Sequence, residues 1–414
     1  MKKLFNFDEP IIISLLETDT YKIRMLYYIW TFFPQLKTKF AFRNRTSSVQ
    51  LAKIIDIVEV REQFDAVADL RFSDNEIEFL RQNEKYPEDF LLFLKNLKLS
   101  NILVEDDKNG QLIIETATDD WVKTTLWELI TLPIVNELYA RQTLINDCIF
   151  DAVAIAEGEK RLLNKVNLLK GSGVKALQFG LRRRLSGLWE RHMTEMALDL
   201  MPDCLVAISN INLARELDVP YGGTNAHELS MALNALRWSE GSEAARYAQY
   251  EVFEKWFELF DGDQRIILPD TFGSKQFLDN IPGKLAEEAM GFREDSGDPI
   301  EFGNWVIDMW FRMNIDAKER KLFFSDGLIA ERMLKLDKCF RERTNILFGW
   351  GTNFSNDTGF VKPLSIVMKL VQSAGNPAIK LSDNIAKAIG DRDMIARNKK
   401  LFGYDVTLNE ACLY

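Results

Sequence analysis

The chain has 414 residues, 47% of them hydrophobic and 28% charged, with a formal net charge of −10. That length exceeds one small core and predicts two or three structural units, able to bury their apolar surface without disulfides or structural metal. The acidic balance excludes a general nucleic-acid binder, which needs a basic face, but leaves room for a local positive pocket that takes small anions.

In chain order, residues 18–33 read as an amphipathic helix with Thr18 as candidate cap and Pro34 just past its end. Residues 38–43 alternate as a strand, and 47–70 are helical in pattern. Ser73 and Glu76 carry a capping-box signature. Strands at 101–106 and 111–117 flank Asn109-Gly110, a strong hairpin signal. A helical stretch follows over 121–169, and Pro133 is expected to interrupt it. From residue 174 the character changes, with short apolar runs that end in glycine or a small polar residue. Seven such units, at 174–180, 204–210, 219–227, 265–273, 291–298, 321–327 and 345–352, are separated by helical patterns. They predict an α/β fold whose parallel strands close into a barrel, with polar residues at the strands' C-terminal ends, where barrels build their sites. Residues 364–382 read as a further hairpin around Gly375-Asn376, and the tail beyond is weakly patterned.

The four cysteines, Cys148, Cys204, Cys339 and Cys412, form no CxxC pair. That leaves a zinc finger and a redox dithiol unsupported and fits buried structural thiols in a reducing compartment. The N-terminal apolar run is broken by Asp8, Glu9 and Pro10 and does not read as a signal peptide. No stretch is apolar over the ~20 residues that a membrane span needs. The expected location is cytoplasmic.

Two histidines allow each to be weighed alone. His192 lies in a helical pattern and reads as a helix-surface residue. His227 follows a short strand and Gly222-Gly223, at the expected barrel mouth, where it could serve as general base, metal ligand or phosphoryl acceptor. Arg182, Arg183 and Arg184 follow a strand end and cannot all point one way. They form either a solvated basic turn or a pocket for phosphate or carboxylate, which the guanidinium fork suits. Arg293, Asp295, Ser296 and Asp298 stand at another strand end, where carboxylates can meet ribose hydroxyls or phosphate-borne magnesium, and where Ser296 or Asp298 can cap a helix. Gly327, Gly349 and Gly351 end the last two units, the usual place for a barrel's phosphate site. There is no P-loop, and no GxGxxG follows a strand.

The stretches LLETDTYK, FAFRNR (40–45), LWELITLPIVNELY (126–139), FGLRRRLS (179–186), SNINLA (209–214), GGTNAHE (222–228), REDSGDP (293–299), FSDG (324–327), FGWGT (348–352) and PLSIVMKL (363–370) occur in one order. In that order the chain resembles the nicotinate phosphoribosyltransferase family over nearly its whole length. The resemblance implies an irregular TIM-like α/β barrel over 146–363, joined to an α+β sandwich-like domain of residues 1–145 to which 364–414 returns. It implies transfer of phosphoribose from phosphoribosyl pyrophosphate to nicotinate, giving nicotinate mononucleotide and pyrophosphate in salvage NAD synthesis. ATP is the implied co-substrate and Mg2+ the implied cofactor, with no protein side chain assigned to the metal.

By the same resemblance, His227 is the phosphohistidine and Asp295 lies near ribose and magnesium. Tyr21, reaching a neighbouring subunit's site in a homodimer, and Phe179 would hold the pyridine ring. Arg182, Thr224 and Arg293 would surround its carboxylate. Ser296, Ser325, Asp326, Gly327, Gly349, Gly351 and Thr352 would hold the phosphoribosyl group. Ser209 and Asn210 stand where the nicotinamide-using sister family carries an aspartate, which favours the acid over the amide. Trp350, inside the phosphate motif, is the departure: pointing inward, it would put that cradle in doubt.

Overall fold

The computed structural model describes residues 3–410; Cys412 and the last residues of the returning tail lie outside them. Among these residues twelve strands form two sheets. β1 (Lys37–Asn44), β2 (Ile102–Asp106), β3 (Leu112–Thr116) and β4 (Asp119–Asp120) come first. β5 (Ala176–Gln178), β6 (Leu205–Ile208), β7 (Ile266–Ile267), β8 (Gly291–Glu294), β9 (Lys321–Phe324) and β10 (Asn345–Trp350) follow. β11 (Ile366–Ser373) and β12 (Asn376–Pro377) close the series.

The antiparallel sheet runs β12-β11-β1-β3-β2, with β4 also on β1. β11 joins β1 along its length, from Thr38↔Ser373 to Asn44↔Ile366. Its turn is Ala374-Gly375, both at positive φ, one residue earlier than the expected Gly375-Asn376. Alternation then sets two faces on β11. Ile366, Met368 and Leu370 enter the core, whereas Val367 and Lys369 face a cavity.

The parallel sheet runs β6-β5-β10-β9-β8-β7. Six of the seven expected units are strands. The unit at 219–227 is instead an extended segment between the two free edges. It bridges β6 in parallel at Ile208↔Tyr221, and Asn225 Nδ2 donates to the Ile266 carbonyl at the start of β7, 2.8 Å away. Glycines at 222 and 223 and Pro220 explain why it forms no regular ladder.

Several local expectations change. The first helix is Thr20–Phe32, with Asp19 rather than Thr18 at its N-cap. The stretch 47–70 splits into a turn at Leu51–Lys53 and a helix at Ile57–Ala68. Pro133 does not interrupt its helix, Trp127–Asn146; the break falls at 147–150, where Cys148 is left-handed. Cys204 is buried, but Cys148 and Cys339 are exposed, so the thiols are not uniformly structural. The Ser73–Glu76 capping box is present. Among the described residues no helix is long and apolar enough to cross a membrane.

Candidate functional site

A cavity of about 430 Å3 opens at the C-terminal ends of the parallel strands, beneath the face of β11 that carries Val367 and Lys369. Phe179 and Arg182 reach it from beyond β5, His227 from the seam segment, and Arg293 and Asp295 from β8 and its end. Ser325, Asp326 and Gly327 come from beyond β9, and Gly349, Gly351 and Thr352 from β10 and its end. Eight lysines and arginines line it against two carboxylates, so a chain of net charge −10 carries a strongly basic mouth.

The three consecutive arginines have three fates. Arg184 is buried, donating to Glu17, Glu190 and the Ile11 carbonyl. Arg183 spends Nε and Nη2 on the Ile366 carbonyl. Arg182 is about one-third exposed and makes no hydrogen bond among the described residues; Asp19 at 3.8 Å and Glu128 at 3.9 Å stand behind it. Its fork is therefore open to an incoming anion. Arg293 is the opposite case. It donates to Ser325 Oγ, Thr224 Oγ1, the Asn225 carbonyl and Asp295 Oδ1, at 2.9–3.2 Å, and its guanidinium lies 5.8 Å from the Phe179 ring centroid. With four donors committed, it braces the ring and Asp295.

His227 is 5% exposed. Nδ1 lies 3.0 Å from Thr271 Oγ1, and Nε2 lies 3.0 Å from Asp295 Oδ2 and 2.8 Å from Lys380 Nζ. Burial pushes the imidazole down to about 4; Asp270 opposes this and the Lys380 charge adds to it. The ring is thus neutral near pH 7, with a lone pair available. Burial would raise Asp295, but the Arg293 guanidinium and its neighbours hold it well below the usual carboxylate range. Donor atoms of His227, Asp270 and Asp295 lie within 4.8 Å of one another, the spacing of a metal site. The Lys380 ammonium already stands among them, 3.5 Å from Asp270 and 3.9 Å from Asp295, so no metal ligands are assigned there.

Tyr21 is 3% exposed within its own chain, against Gly223 and near Arg182 and Arg293. Four expected contacts change. Ser209 is buried and off the cavity wall; its hydroxyl donates to Asp19 at 2.6 Å, so it acts behind Arg182. Asn210 caps the helix Ile211–Leu217 and donates to Glu190. Thr224 is reached only through Arg293. Ser296 donates to Asp270 and accepts from Ser382, away from the cavity, and it is Asp298 that caps the helix Pro299–Arg312. Trp350 is fully buried on the opposite side of β10 from Gly349, packed on Phe354, and leaves the cradle open. His192 sits apart from the site, 2.7 Å from Glu159.

The returning segment is expected from the sequence, but its three site lysines are not. Lys369 is paired with Glu128 at 2.7 Å, Lys380 meets His227, and Lys387 donates to the Asp295 carbonyl and pairs with Asp326. Lys369 stands inside PLSIVMKL with nothing local to mark it as a site residue, and Lys380 and Lys387 lie beyond that motif.

The sequence model of the nicotinate phosphoribosyltransferase (NAPRTase) family matches residues 174–406, and that of its N-terminal domain matches 16–136. Among solved structures, a nicotinate phosphoribosyltransferase from Porphyromonas gingivalis is 29% identical, with a TM-score of 0.84 over 95% of this chain and 100% of that one. One from Vibrio cholerae is 29% identical, with a TM-score of 0.86 over 97% and 96%. The chain belongs to the nicotinate phosphoribosyltransferase family.

Proposed function

We propose that the chain transfers the 5-phosphoribosyl group of phosphoribosyl pyrophosphate to nicotinate, an entry step to NAD. The pyridine nitrogen's lone pair forms the bond to the anomeric carbon as the bond to pyrophosphate breaks, and pyrophosphate leaves with that electron pair. The observation that carries this reading is the open Arg182 fork beside Phe179 in the cavity that also holds the turns 325–327 and 349–352. A planar anion fits the first region and a phosphate the second, so that alignment and charge compensation can supply much of the catalysis. Arg182 is the proposed holder of the nicotinate carboxylate. Magnesium is proposed to arrive on the pyrophosphate oxygens and to offset the leaving group's charge when bound.

ATP coupling is proposed through His227, whose neutral ring can accept a phosphoryl group. Nε2 is the acceptor of choice, because its neighbours Asp295 and Lys380 line the cavity whereas Thr271, beside Nδ1, does not. A homodimer and a cytoplasmic location are also proposed.

Nicotinate and nicotinamide assayed side by side with phosphoribosyl pyrophosphate test the transfer; turnover of the amide in preference to the acid overturns the substrate assignment. γ-labelled ATP should leave an acid-labile, base-stable label on the wild type and none on H227A. H227A should keep at most weak, ATP-independent transfer. An active wild type that takes no label removes the coupling.

A further inference from the structure

Both nitrogens of His227 are clamped, and the two clamps belong to one unit. Nδ1 faces Thr271 Oγ1, a hydroxyl that can accept a proton or give one. Nε2 faces Asp295 Oδ2, which only accepts, and Lys380 Nζ, which only donates. A neutral imidazole carries one proton, and these neighbours compete to place it.

With the proton on Nε2, the ring would satisfy Asp295 but aim that N–H into the field of an ammonium 2.8 Å away. With the proton on Nδ1, it is donated to Thr271, and Nε2 turns its lone pair to the Lys380 ammonium. In a buried site the second arrangement avoids setting two donors against each other, and the ammonium, 3.9 Å from Asp295, offsets the carboxylate that then faces the Nε2 lone pair.

Lys380 is held there by its backbone. Its N–H donates to the Ile389 carbonyl, and the Ile389 N–H donates back, at 2.9 and 3.0 Å. The next residue, Leu381, donates to the carbonyl of Thr271, the residue that meets Nδ1. Side-chain exposure of Lys380 is 5%, with Asp270 at 3.5 Å and Asp295 at 3.9 Å from its ammonium and its charge also felt by Asp383. Its position is thus set by the same stretch of backbone that sets the Thr271 hydroxyl.

We propose that Lys380 is a positioning residue that fixes the tautomer of His227, keeping the proton on Nδ1 and an unprotonated Nε2 toward the cavity. The functional meaning rests on reading His227 as phosphoryl acceptor: Lys380 would then keep the attacking Nε2 unprotonated, its lone pair held by the ammonium until the phosphoryl group arrives. The tautomer itself can be measured without that chemistry.

The chain has two histidines, so a protein labelled at the ring nitrogens of histidine gives at most two ring signal sets, and H192N assigns them. In the resting full-length wild type at pH 7, His227 should show a protonated, pyrrole-like Nδ1 and an unprotonated, pyridine-like Nε2. K380M should swap the pattern, with Nε2–H donated to Asp295. K380R, which keeps a donor-only cation, should retain the wild-type pattern, and so should T271V, which removes the neutral partner. A wild type already protonated on Nε2 overturns the proposal, as does a folded K380M that keeps the wild-type tautomer. Labelling by γ-labelled ATP is read separately. A swapped tautomer in K380M, with a wild type that ATP never labels, supports the Lys380 assignment and removes the acceptor reading alone.

Discussion

At the scale of single residues, Arg182 and Arg293 look interchangeable in a sequence, and the structure separates them. Arg182 has an open fork backed by Asp19 and Glu128, whereas Arg293 spends its donors inside the protein. R182Q should therefore raise KM for nicotinate about 10- to 100-fold, the worth of one charge-assisted hydrogen-bond pair, with little loss of thermal stability. R293Q should instead destabilise the fold by ~2–4 kcal/mol, because it strands Asp295, Thr224 and a backbone carbonyl. Paired kinetic and denaturation measurements check this, and equal effects of the two substitutions would contradict the division of roles. The open side of Arg182 was not legible locally, because all three residues 182–184 are arginines and only remote acids distinguish them.

At the scale of elements, β10 must pass close to the ring platform. A Cβ on Gly349 would lie 2.8 Å from the Phe179 ring and 3.1 Å from Ser325 Cβ. G349A should push that ring off its seat against Phe323 and Arg293, raising KM for the pyridine more than it lowers the melting temperature. An unchanged KM would show that Phe179 has room to yield. The helix Trp127–Asn146 teaches the converse lesson about reading elements. A proline in a helix interior costs about 3 kcal/mol, yet 16 of its 20 residues are buried, so packing outweighs the lost hydrogen bond. Local propensity placed the break at Pro133, and tertiary burial moved it to 147–150.

At the scale of the whole molecule, two buried titratable groups, one at the mouth and one away from it, couple stability to pH with opposite signs. His227 lies at about 4 in the fold against an ordinary 6.5, so its contribution, ~3 kcal/mol, is full above pH 6.5 and lost as pH falls through 4. Asp383, 6% exposed, is pushed up to about 7 by burial and by the charge of Asp270. Its contribution is full below 3.8 and lost as pH rises through 7. The two slopes oppose each other across the same window. D383N should therefore steepen the fall in denaturation midpoint between pH 7 and 4, and H227N should flatten it. Parallel urea titrations at several pH values read this directly, and identical slopes in both variants would show that neither group governs the window.

The chemistry available, and its approximate order along the chain, is legible in the amino-acid sequence alone. Glycine and small polar residues closing successive apolar runs marked six of the strands, and the scarcity of histidine isolated His227. Strand-end position brought Phe179, Arg293, Asp295, Ser325 and the glycines of β10 to one mouth, because parallel strands end on the same side of their sheet. Tertiary structure decided which donors remain free. It turned Ser209 and Ser296 away, spent Arg293, left Arg182 open, and brought Lys380 to His227 across 153 residues. The reason is physical. Whether a polar group is available depends on the partners that long-range packing puts beside it, and those partners share no local pattern with it.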